Sequence, residues 1–400
     1  EKVDLDQMAA KSEDAPVIKI VNLILVQALK EKASDIHIEP FEKTLKLRYR
    51  VDGVLIEASS PPKSLQLPIA SRIKILAGLD IAERRLPQDG RFRIRVSGKD
   101  VDLRISFLPT VFGEKIVIRI LDKGALGKSV EQLGMDESTQ SQFRHAIDAP
   151  HGMILVTGPT GSGKTTTLYT VLTELNNPVY NIVTVEDPVE YQLNGVNQVA
   201  VRSEIGMDFA GALRSILRQD PDIVMVGEIR DNETADIAVK AALTGHQVLS
   251  TLHTNDAAGA ISRLDDMGIE PFLIASSLLM TCAQRLVRRL CSNCKDVATI
   301  ESEVFDRLEL DDDYRQQTYY SSPGCERCKH RGYSGRAAII EALGVSESIR
   351  RLIIKRASAN IIKNQAISEG MVTLRMAGIN KAIEGVTSLE EVWQVTSEES

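Results

Sequence analysis

Hydrophobic and polar residues over the first 122 positions follow the spacing of two helices and several strands. Helical spacing of apolar residues predicts helices over Val17–Ala33 and Ser64–Leu79. Alternating patterns predict five strands, and Asp52-Gly53 predicts a tight hairpin turn after the second of them. These strands are Asp35–Phe41, Leu45–Val51, Arg91–Val96, Val101–Leu108 and Glu114–Leu121. We therefore expect an α+β domain over residues 16–122, preceded by a polar linker over residues 1–15.

A different pattern begins after Pro150. Near-continuous runs of apolar, often β-branched residues alternate with helical stretches, which is typical of a parallel sheet covered on both faces. The predicted strands are Met153–Thr157, Asn181–Val185, Ile223–Val226 and Val248–Leu252. Beyond Pro271 we predict a largely helical region, interrupted by a cysteine-rich module over residues 291–328. The fold class is thus α/β over residues 131–400, joined to the first domain by a hinge over residues 123–130.

Composition and charge narrow the functional class. Of the 400 residues 43% are hydrophobic and 26% charged, which indicates a globular protein, and the net charge is −7. An acidic chain is not expected to bind nucleic acid, because phosphate contacts need a basic surface. The longest uncharged apolar stretch, residues 271–284, is too short to span a bilayer, and no signal peptide is expected at the start. We expect a cytoplasmic protein that reaches a membrane only through protein partners.

A glycine-rich segment follows the first predicted strand of the second domain. It fits the pattern G-x-x-x-x-G-K-[ST] and precedes a predicted helix over Thr166–Leu175, so we expect a nucleotide phosphate site rather than a chance loop. Lys164 is expected to contact the β- and γ-phosphates, and Thr165 to hold Mg²⁺. The residues expected to bind nucleotide are Gly158, Pro159, Thr160, Gly161, Ser162, Gly163, Lys164, Thr165 and Thr166.

Three further predicted strands run into polar residues at the edge where parallel sheets bind ligands. Glu186, Glu228 and His253 occupy these strand ends. Glu228 is expected to act in the Mg²⁺ shell or to polarise water, Glu186 is the competing general base, and His253 is expected to contact the γ-phosphate. The alternative for any one of them is an ordinary solvated strand end.

Two Cys-x-x-Cys pairs supply the four thiolates of a tetrahedral zinc site. The ligands are Cys291, Cys294, Cys325 and Cys328, and with no open position the site would be structural. Unligated buried cysteines are the alternative.

Several of these segments resemble the type II/type IV secretion ATPase superfamily over nearly the whole chain. The glycine-rich loop, residues 186–190, residues 218–230 and Thr251–Thr254 match its Walker A, Asp-box, Walker B and His-box motifs. Residues 34–40 and 50–53 resemble its N-terminal PAS-like domain. The resemblance implies a RecA-like motor domain and a homohexameric ring that hydrolyses ATP.

The same resemblance assigns roles to four arginines. Arg104 and Arg119 match arginines that reach the nucleotide from the N-terminal domain, and Arg214 and Arg218 match residues near the γ-phosphate or at the ring interface. The alternative for each is a solvated or salt-bridged surface position.

The function implied is a motor for type IV pilus assembly. The cysteine module is similar to that of the extension and secretion branches, and Phe107–Lys115 resembles the pilus branch more than the type II secretion branch, which remains the alternative. The expected partners are an inner-membrane platform protein and a cytoplasmic accessory protein, with the ring peripheral to the inner membrane. A DNA-translocating motor is disfavoured by the acidic charge, and a nucleotide-switched scaffold would not need Glu228.

Overall fold

The computed structural model describes residues 2–4, 16–96, 98–121 and 129–397. The chain divides into two compact units, Glu1–Ala125 and Leu126–Ser400. Most of the predicted hinge, residues 123–128, lies outside the described residues. Within the predicted linker only residues 2–4 are described, and they form a short strand.

The N-terminal unit contains seven strands and two α-helices among its described residues. The helices are α1 (Pro16–Lys30) and α2 (Gln66–Ala77). The strands are β1 (Lys2–Asp4), β2 (Asp35–Pro40), β3 (Leu45–Val51), β4 (Val54–Glu57), β5 (Gln88–Val96), β6 (Lys99–Thr110) and β7 (Gly113–Leu121). They lie in the order β1-β5-β6-β7-β2-β3-β4, and every neighbouring pair except the parallel β1–β5 is antiparallel.

Period-two alternation decides which face of this sheet the helices cover. Ile36 and Ile38 pack into a core with α1 and α2, whereas Asp35, His37 and Glu39 project from the other face. The predicted hairpin turn is confirmed, because Asp52 (φ 51°) and Gly53 (φ 88°) both adopt left-handed backbone conformations between β3 and β4.

The C-terminal unit is built on a second seven-stranded sheet. Its strands are β8 (Gly152–Thr157), β9 (Ile182–Glu186), β10 (Asn197–Ala200), β11 (Ile223–Val226), β12 (Gln247–Leu252), β13 (Leu278–Leu290) and β16 (Tyr333–Gly344). The order is β10-β9-β11-β12-β8-β13-β16, with all pairs parallel except β13–β16. A two-stranded sheet of β14 (Asp296–Ala298) and β15 (Tyr319–Ser321) lies in the cysteine-rich module.

Helices cover both faces of the large sheet, as the apolar runs predict. The described α-helices are α3 (Glu137–Ile147), α4 (Lys164–Leu175), α5 (Phe209–Ile216), α6 (Asn232–Leu243), α7 (Ala257–Asp266), α8 (Pro271–Ser277), α9 (Ser302–Arg307), α10 (Asp312–Arg315), α11 (Glu347–Ile354), α12 (Ala359–Ser368), α13 (Leu374–Ile383) and α14 (Leu389–Thr396). One core joins Met153 and Leu155 of β8 to α5, α6, α7 and α8, and another joins Ile154 and Val156 to α3 and α4.

The prediction of a largely helical region beyond Pro271 is wrong for two segments. Leu278–Leu290 and Tyr333–Gly344 are long paired strands, not helices. Both lie at the β8 side of the sheet. Most of β13 is buried, as are residues 339–343 of β16, so these stretches lack the strict alternation of a half-exposed strand. Periodicity does not separate such a buried strand from a buried helix, and here the pairing of distant segments decides. No helix among the described residues is both long and apolar enough to cross a bilayer.

Candidate nucleotide-binding site

A glycine-rich loop joins the fully buried strand β8 to α4, and we call Gly158–Thr165 the phosphate-binding loop. Gly158 (φ 146°) and Gly163 (φ 90°) both have backbone conformations that favour glycine. Both are also crowded by Gln284: a Cβ on Gly158 would lie 2.5 Å from its backbone oxygen, and one on Gly163 would lie 2.7 Å from its Nε2. Conformation and close packing together require glycine at these positions.

The polar groups of this loop are arranged to receive an anion. Nζ of Lys164 donates to the backbone oxygens of Gly158 (2.8 Å) and Pro159 (3.1 Å), so the lysine folds back over the loop at the start of α4. The buried hydroxyl of Ser162 has no hydrogen-bond partner among the described residues. Thr165 is exposed in the first turn of α4. A lysine and a helix N-terminus at one loop fit a phosphate group.

Burial lowers the pKa of Lys164, and nearby charges act on it in both directions. The Glu228 carboxylate raises this pKa, whereas the Arg285 guanidinium lowers it. Glu228 and Arg285 therefore lie within electrostatic range of Lys164 and belong to the same site.

Glu228 and His253 come together just beyond the ends of the neighbouring strands β11 and β12. Nε2 of His253 lies 3.5 Å from Oε2 of Glu228. Glu228 also forms an ion pair with Arg230, and Arg230 lies 4.0 Å from Asp187. The Glu228 side chain is 18% exposed and that of His253 is 52% exposed, so a water or ligand has access to this pair.

Glu186 lies in a separate, buried hydrogen-bond network. It accepts hydrogen bonds from the hydroxyls of Tyr169 and Thr184 (2.6 Å for Thr184) and from the amide of Gln198 (3.0 Å). Its exposure is 3%. Burial, followed by the charge of Glu186 and its hydrogen bond, raises the pKa of Tyr169, which holds the phenol in its donor form. Of the three strand-end groups, Glu228 and His253 lie close together. Glu186 of β9 is instead hydrogen-bonded to Tyr169 of α4.

Two buried residues of β13 complete the surroundings of the phosphate-binding loop, and sequence reasoning did not find them. Gln284 donates from Nε2 to the backbone oxygen of Ser162 (2.8 Å) and accepts from the Thr167 hydroxyl (2.7 Å). Arg285, 5% exposed, lies beside Gly158. Both residues are more than 100 positions away along the chain, in a segment predicted as helix, so no local pattern pointed to them.

The arginines singled out from the sequence occupy three settings. Arg214 of α5 pairs with Glu233 of α6, and Arg218 donates to the backbone oxygen of Arg214 (2.9 Å). Arg104 and Arg119 lie directly opposite each other on β6 and β7 of the N-terminal unit.

The register places these last two arginines in a row across five strands of that sheet. Arg91, Arg104, Arg119, Asp35 and Arg50 are successive cross-strand neighbours. Nε of Arg119 lies 3.1 Å from Asp35, which is also 4.0 Å from Arg50. Four arginines and one carboxylate give this row a positive excess, and the Arg119 side chain is 58% exposed.

The four cysteines of the predicted metal site converge. All their sulfur atoms lie within 4.8 Å of one another, and the pairs Cys291–Cys325, Cys294–Cys328 and Cys325–Cys328 are 3.9, 3.9 and 3.8 Å apart. A tetrahedral zinc with Zn–S bonds of about 2.3 Å requires sulfur separations of about 3.8 Å. Backbone N–H groups of Cys325 and Gly332 donate to the Cys328 sulfur. The donor set and spacing fit a closed zinc site.

Comparison with known proteins agrees with these features. The family model described as "Type II/IV secretion system protein" matches residues 10–394. The chain is 54% identical over 395 residues to the "Type IV pilus assembly ATPase PilB" of Myxococcus xanthus, covering 98% of this chain and 70% of that protein. It is 51% identical over 395 residues to the "Type II secretion system ATPase E" of Vibrio cholerae, covering 98% of this chain and 78% of that protein.

Solved structures support the fold. The pilus retraction motor PilT with bound ADP aligns with a TM-score of 0.63 at 25% identity, covering 93% of this chain and 95% of that one. The ATPase DotB of Legionella pneumophila aligns with a TM-score of 0.68 at 20% identity, covering 97% of each chain. The chain therefore belongs to the type II/IV secretion system protein family and is one of its ATP hydrolases.

Proposed function

We propose that this ATP hydrolase is a homohexameric motor that drives type IV pilus assembly. The observation that carries the proposal is the meeting of Lys164, Glu228 and His253 at the ends of β8, β11 and β12. A phosphate anchor and a carboxylate–imidazole pair at one sheet edge are what phosphoryl transfer to water needs.

Each residue has a defined task in this proposal. Lys164 binds the β- and γ-phosphates and Thr165 holds Mg²⁺, which neutralises phosphate charge when it is bound. Glu228 orients and polarises the attacking water, and His253 contacts the γ-phosphate. We prefer Glu228 to Glu186 as the base because both carboxylate oxygens of Glu186 already accept hydrogen bonds inside the protein.

Domain motion is proposed to transmit the energy of hydrolysis. Arg104 and Arg119 are proposed to reach the nucleotide from the N-terminal unit. This unit is proposed to move about a hinge over residues 123–130. Arg214 and Arg218 are proposed to act at the γ-phosphate or across the ring interface. Zinc bound by the four cysteines is proposed to stabilise the C-terminal unit without taking part in the chemistry.

The choice of pilus assembly over type II secretion rests on two observations. The type IV pilus assembly relative is 54% identical to this chain, and the type II secretion relative of Vibrio cholerae is 51% identical to it. The segment Phe107–Lys115, which resembles the pilus branch, spans the end of the β6–β7 hairpin; Phe107 and Glu114 are buried, and Val111 at the turn is 92% exposed. Type II secretion is the alternative.

The proposed partners are an inner-membrane platform protein and a cytoplasmic accessory protein. In this proposal the ring works in the cytoplasm and is peripheral to the inner membrane through those partners. No nucleic acid takes part, in keeping with the net charge of −7.

A deletion strain tests the proposal. We expect electron micrographs of cells lacking the protein to show no pili, while protein secretion into the medium continues. The wild-type gene, but not the Lys164→Ala variant, should restore pili. Lost secretion with intact pili would favour the type II secretion alternative. Cells lacking the protein that still make pili and still secrete proteins would overturn the proposal.

A further inference from the structure

Consecutive residues of β13 lie beside the phosphate-binding loop on opposite faces of the sheet. Gln284 contacts the loop and α4, as described above. Arg285 points to the other face, where Ala283 and Val287 pack in the core shared with α7. Its guanidinium donates through Nη2 to the backbone oxygen of Asn255 (3.1 Å).

Asn255 belongs to the segment that follows β12, residues 253–256, which we call the His253 loop. This loop is fastened at its other end as well. The hydroxyl of Thr157, the last residue of β8, lies 3.1 Å from the backbone oxygen of Leu252 and 2.7 Å from the backbone nitrogen of Thr254. His253 is therefore placed between two anchors, and one of them is Arg285.

Arg285 also lies against the phosphate-binding loop itself. A Cβ built on Gly158 would be 3.2 Å from its Nη1, and that nitrogen donates to the backbone oxygen of Gln284 (3.3 Å). The side chain thus starts on β13, passes Gly158 at the end of β8 and reaches the loop after β12. It crosses three adjacent strand ends at the proposed site of hydrolysis.

We propose that Arg285 is a positioning residue for ATP hydrolysis, which fixes the His253 loop to β13 beside the phosphate-binding loop so that His253 faces Glu228. The planar guanidinium suits this task, since its two terminal nitrogens donate in fixed directions to the carbonyl of Gln284 on its own strand and to the carbonyl of Asn255 in the His253 loop. A lysine keeps the charge but not the fork. The inference rests on the proposed roles of Glu228 and His253.

Steady-state ATP hydrolysis by this 400-residue chain tests this inference through kcat and KM. The variants are Arg285→Lys, His253→Ala and the two combined. We expect Arg285→Lys to lower kcat about tenfold or more, because small displacements of reacting groups are costly, and to leave KM within about twofold. In the His253→Ala background, Arg285→Lys should produce no further loss of kcat, since its effect passes through His253.

The matched control is Arg288→Lys. Arg288 lies on the same strand but pairs with Glu391. The kcat of the Arg288→Lys variant should therefore stay within about twofold of wild type. Arg285→Gln, which keeps donors without the charge, is the second variant and should also lower kcat. Thermal unfolding of each variant establishes that it is folded.

Three results would overturn the inference. They are wild-type kcat in both Arg285 variants, a raised KM with unchanged kcat, or fold-losses that multiply when Arg285→Lys and His253→Ala are combined. The proposed function fails separately, if wild type does not turn over ATP or if Lys164→Ala remains active.

Discussion

Nε2 of His253 and Oε2 of Glu228 lie 3.5 Å apart, although 25 positions separate the two residues in the chain. Parallel pairing of β11 with β12 brings them together, because both strands end at the same edge of the sheet. At this edge the chain places one carboxylate, one imidazole and, on the adjacent loop, the ammonium of Lys164. This relationship underlies the assignment of Glu228 to catalysis.

Replacing Arg104 or Arg119 by alanine is expected to weaken ATP binding about tenfold while changing ADP binding little. A charge-assisted contact to the γ-phosphate is available only from ATP, and differential affinity of this kind is what drives a domain rotation. Calorimetric titration with ADP and a non-hydrolysable ATP analogue measures both affinities.

Arg95→Ala is the control for this titration. Arg95 lies on β5 of the same sheet, where it pairs with Asp100 at 3.0 Å. An unchanged ratio of ATP to ADP affinity in both the Arg104 and Arg119 variants would mean that the N-terminal unit does not sense the γ-phosphate through them.

Freshly purified protein is expected to contain about one zinc per chain. Cys325→Ser should lose the metal and lower the melting temperature of the C-terminal unit, because metal binding contributes folding free energy. Cys282→Ala should keep its zinc, since the Cys282 thiol is buried in the core between β8 and β16. Metal analysis that finds no zinc in unchelated wild-type protein would end the zinc assignment.

Much of the nucleotide site is predictable from local sequence, and its supporting residues are not. The phosphate-binding loop carries its own signal, since the glycines and Lys164 stand at fixed spacing between a strand and a helix. Glu228 and His253 are found because each directly follows an apolar run. Arg285 and Tyr169 have no such signal, because their importance depends on which distant segment packs against them.

The same distinction between local and long-range signals explains which strands the sequence predicts. Strands β8, β9, β11 and β12 are predictable because each is short, apolar and bounded by turn residues. Strand β13 resembles a helix locally, and only its pairing with β8 and β16 makes it a strand. The hairpin at Asp52-Gly53 is the opposite case, since two residues contain the whole signal.

Lys74 and Glu114 form a buried ion pair in the N-terminal unit, and its loss is expected to destabilise the chain. Their charged atoms are 2.6 Å apart, with side-chain exposures of 1% and 7%, and Lys74 also donates to the backbone oxygen of Glu83. Lys74→Met should lower the free energy of unfolding by about 3 kcal/mol, because it leaves a buried carboxylate unpaired. The double variant Lys74→Met with Glu114→Gln should be more stable than Lys74→Met alone.

The control is Lys46→Met. Because Lys46 and its partner Glu57 are both exposed, this substitution should change the free energy of unfolding little. Chemical denaturation followed by circular dichroism measures all of these variants. If Lys74→Met and Lys46→Met unfold at the same denaturant concentration, the buried pair makes no special contribution.

Glu39 is expected to make the N-terminal unit sensitive to acid. Burial raises its pKa, but hydrogen bonds from Arg48 (2.7 Å) and Lys115 (2.9 Å) outweigh burial and lower it to about 2 from an ordinary value of 4.5. A carboxyl whose pKa is lower in the folded state contributes stability above pH 4.5 and loses that contribution as the pH falls toward 2.

Glu39→Gln should therefore reduce the dependence of the unfolding midpoint on pH between about pH 5 and pH 3. Glu42→Gln, at an exposed position after the same strand, should retain the wild-type dependence. Identical pH profiles for wild type and Glu39→Gln would contradict the role of this carboxylate.

The most direct test of the catalytic assignment is steady-state phosphate release from Mg-ATP by wild type, Lys164→Ala, Glu228→Gln and Glu186→Gln. We expect no turnover for Lys164→Ala and a loss of at least about hundredfold for Glu228→Gln, which should still bind ATP because it removes a negative charge rather than a phosphate contact. Glu186→Gln should retain far more turnover than Glu228→Gln, since its carboxylate is engaged with Tyr169, Thr184 and Gln198. Near-wild-type phosphate release by Glu228→Gln, together with its loss in Glu186→Gln, would contradict the assignment of Glu228 as the catalytic carboxylate.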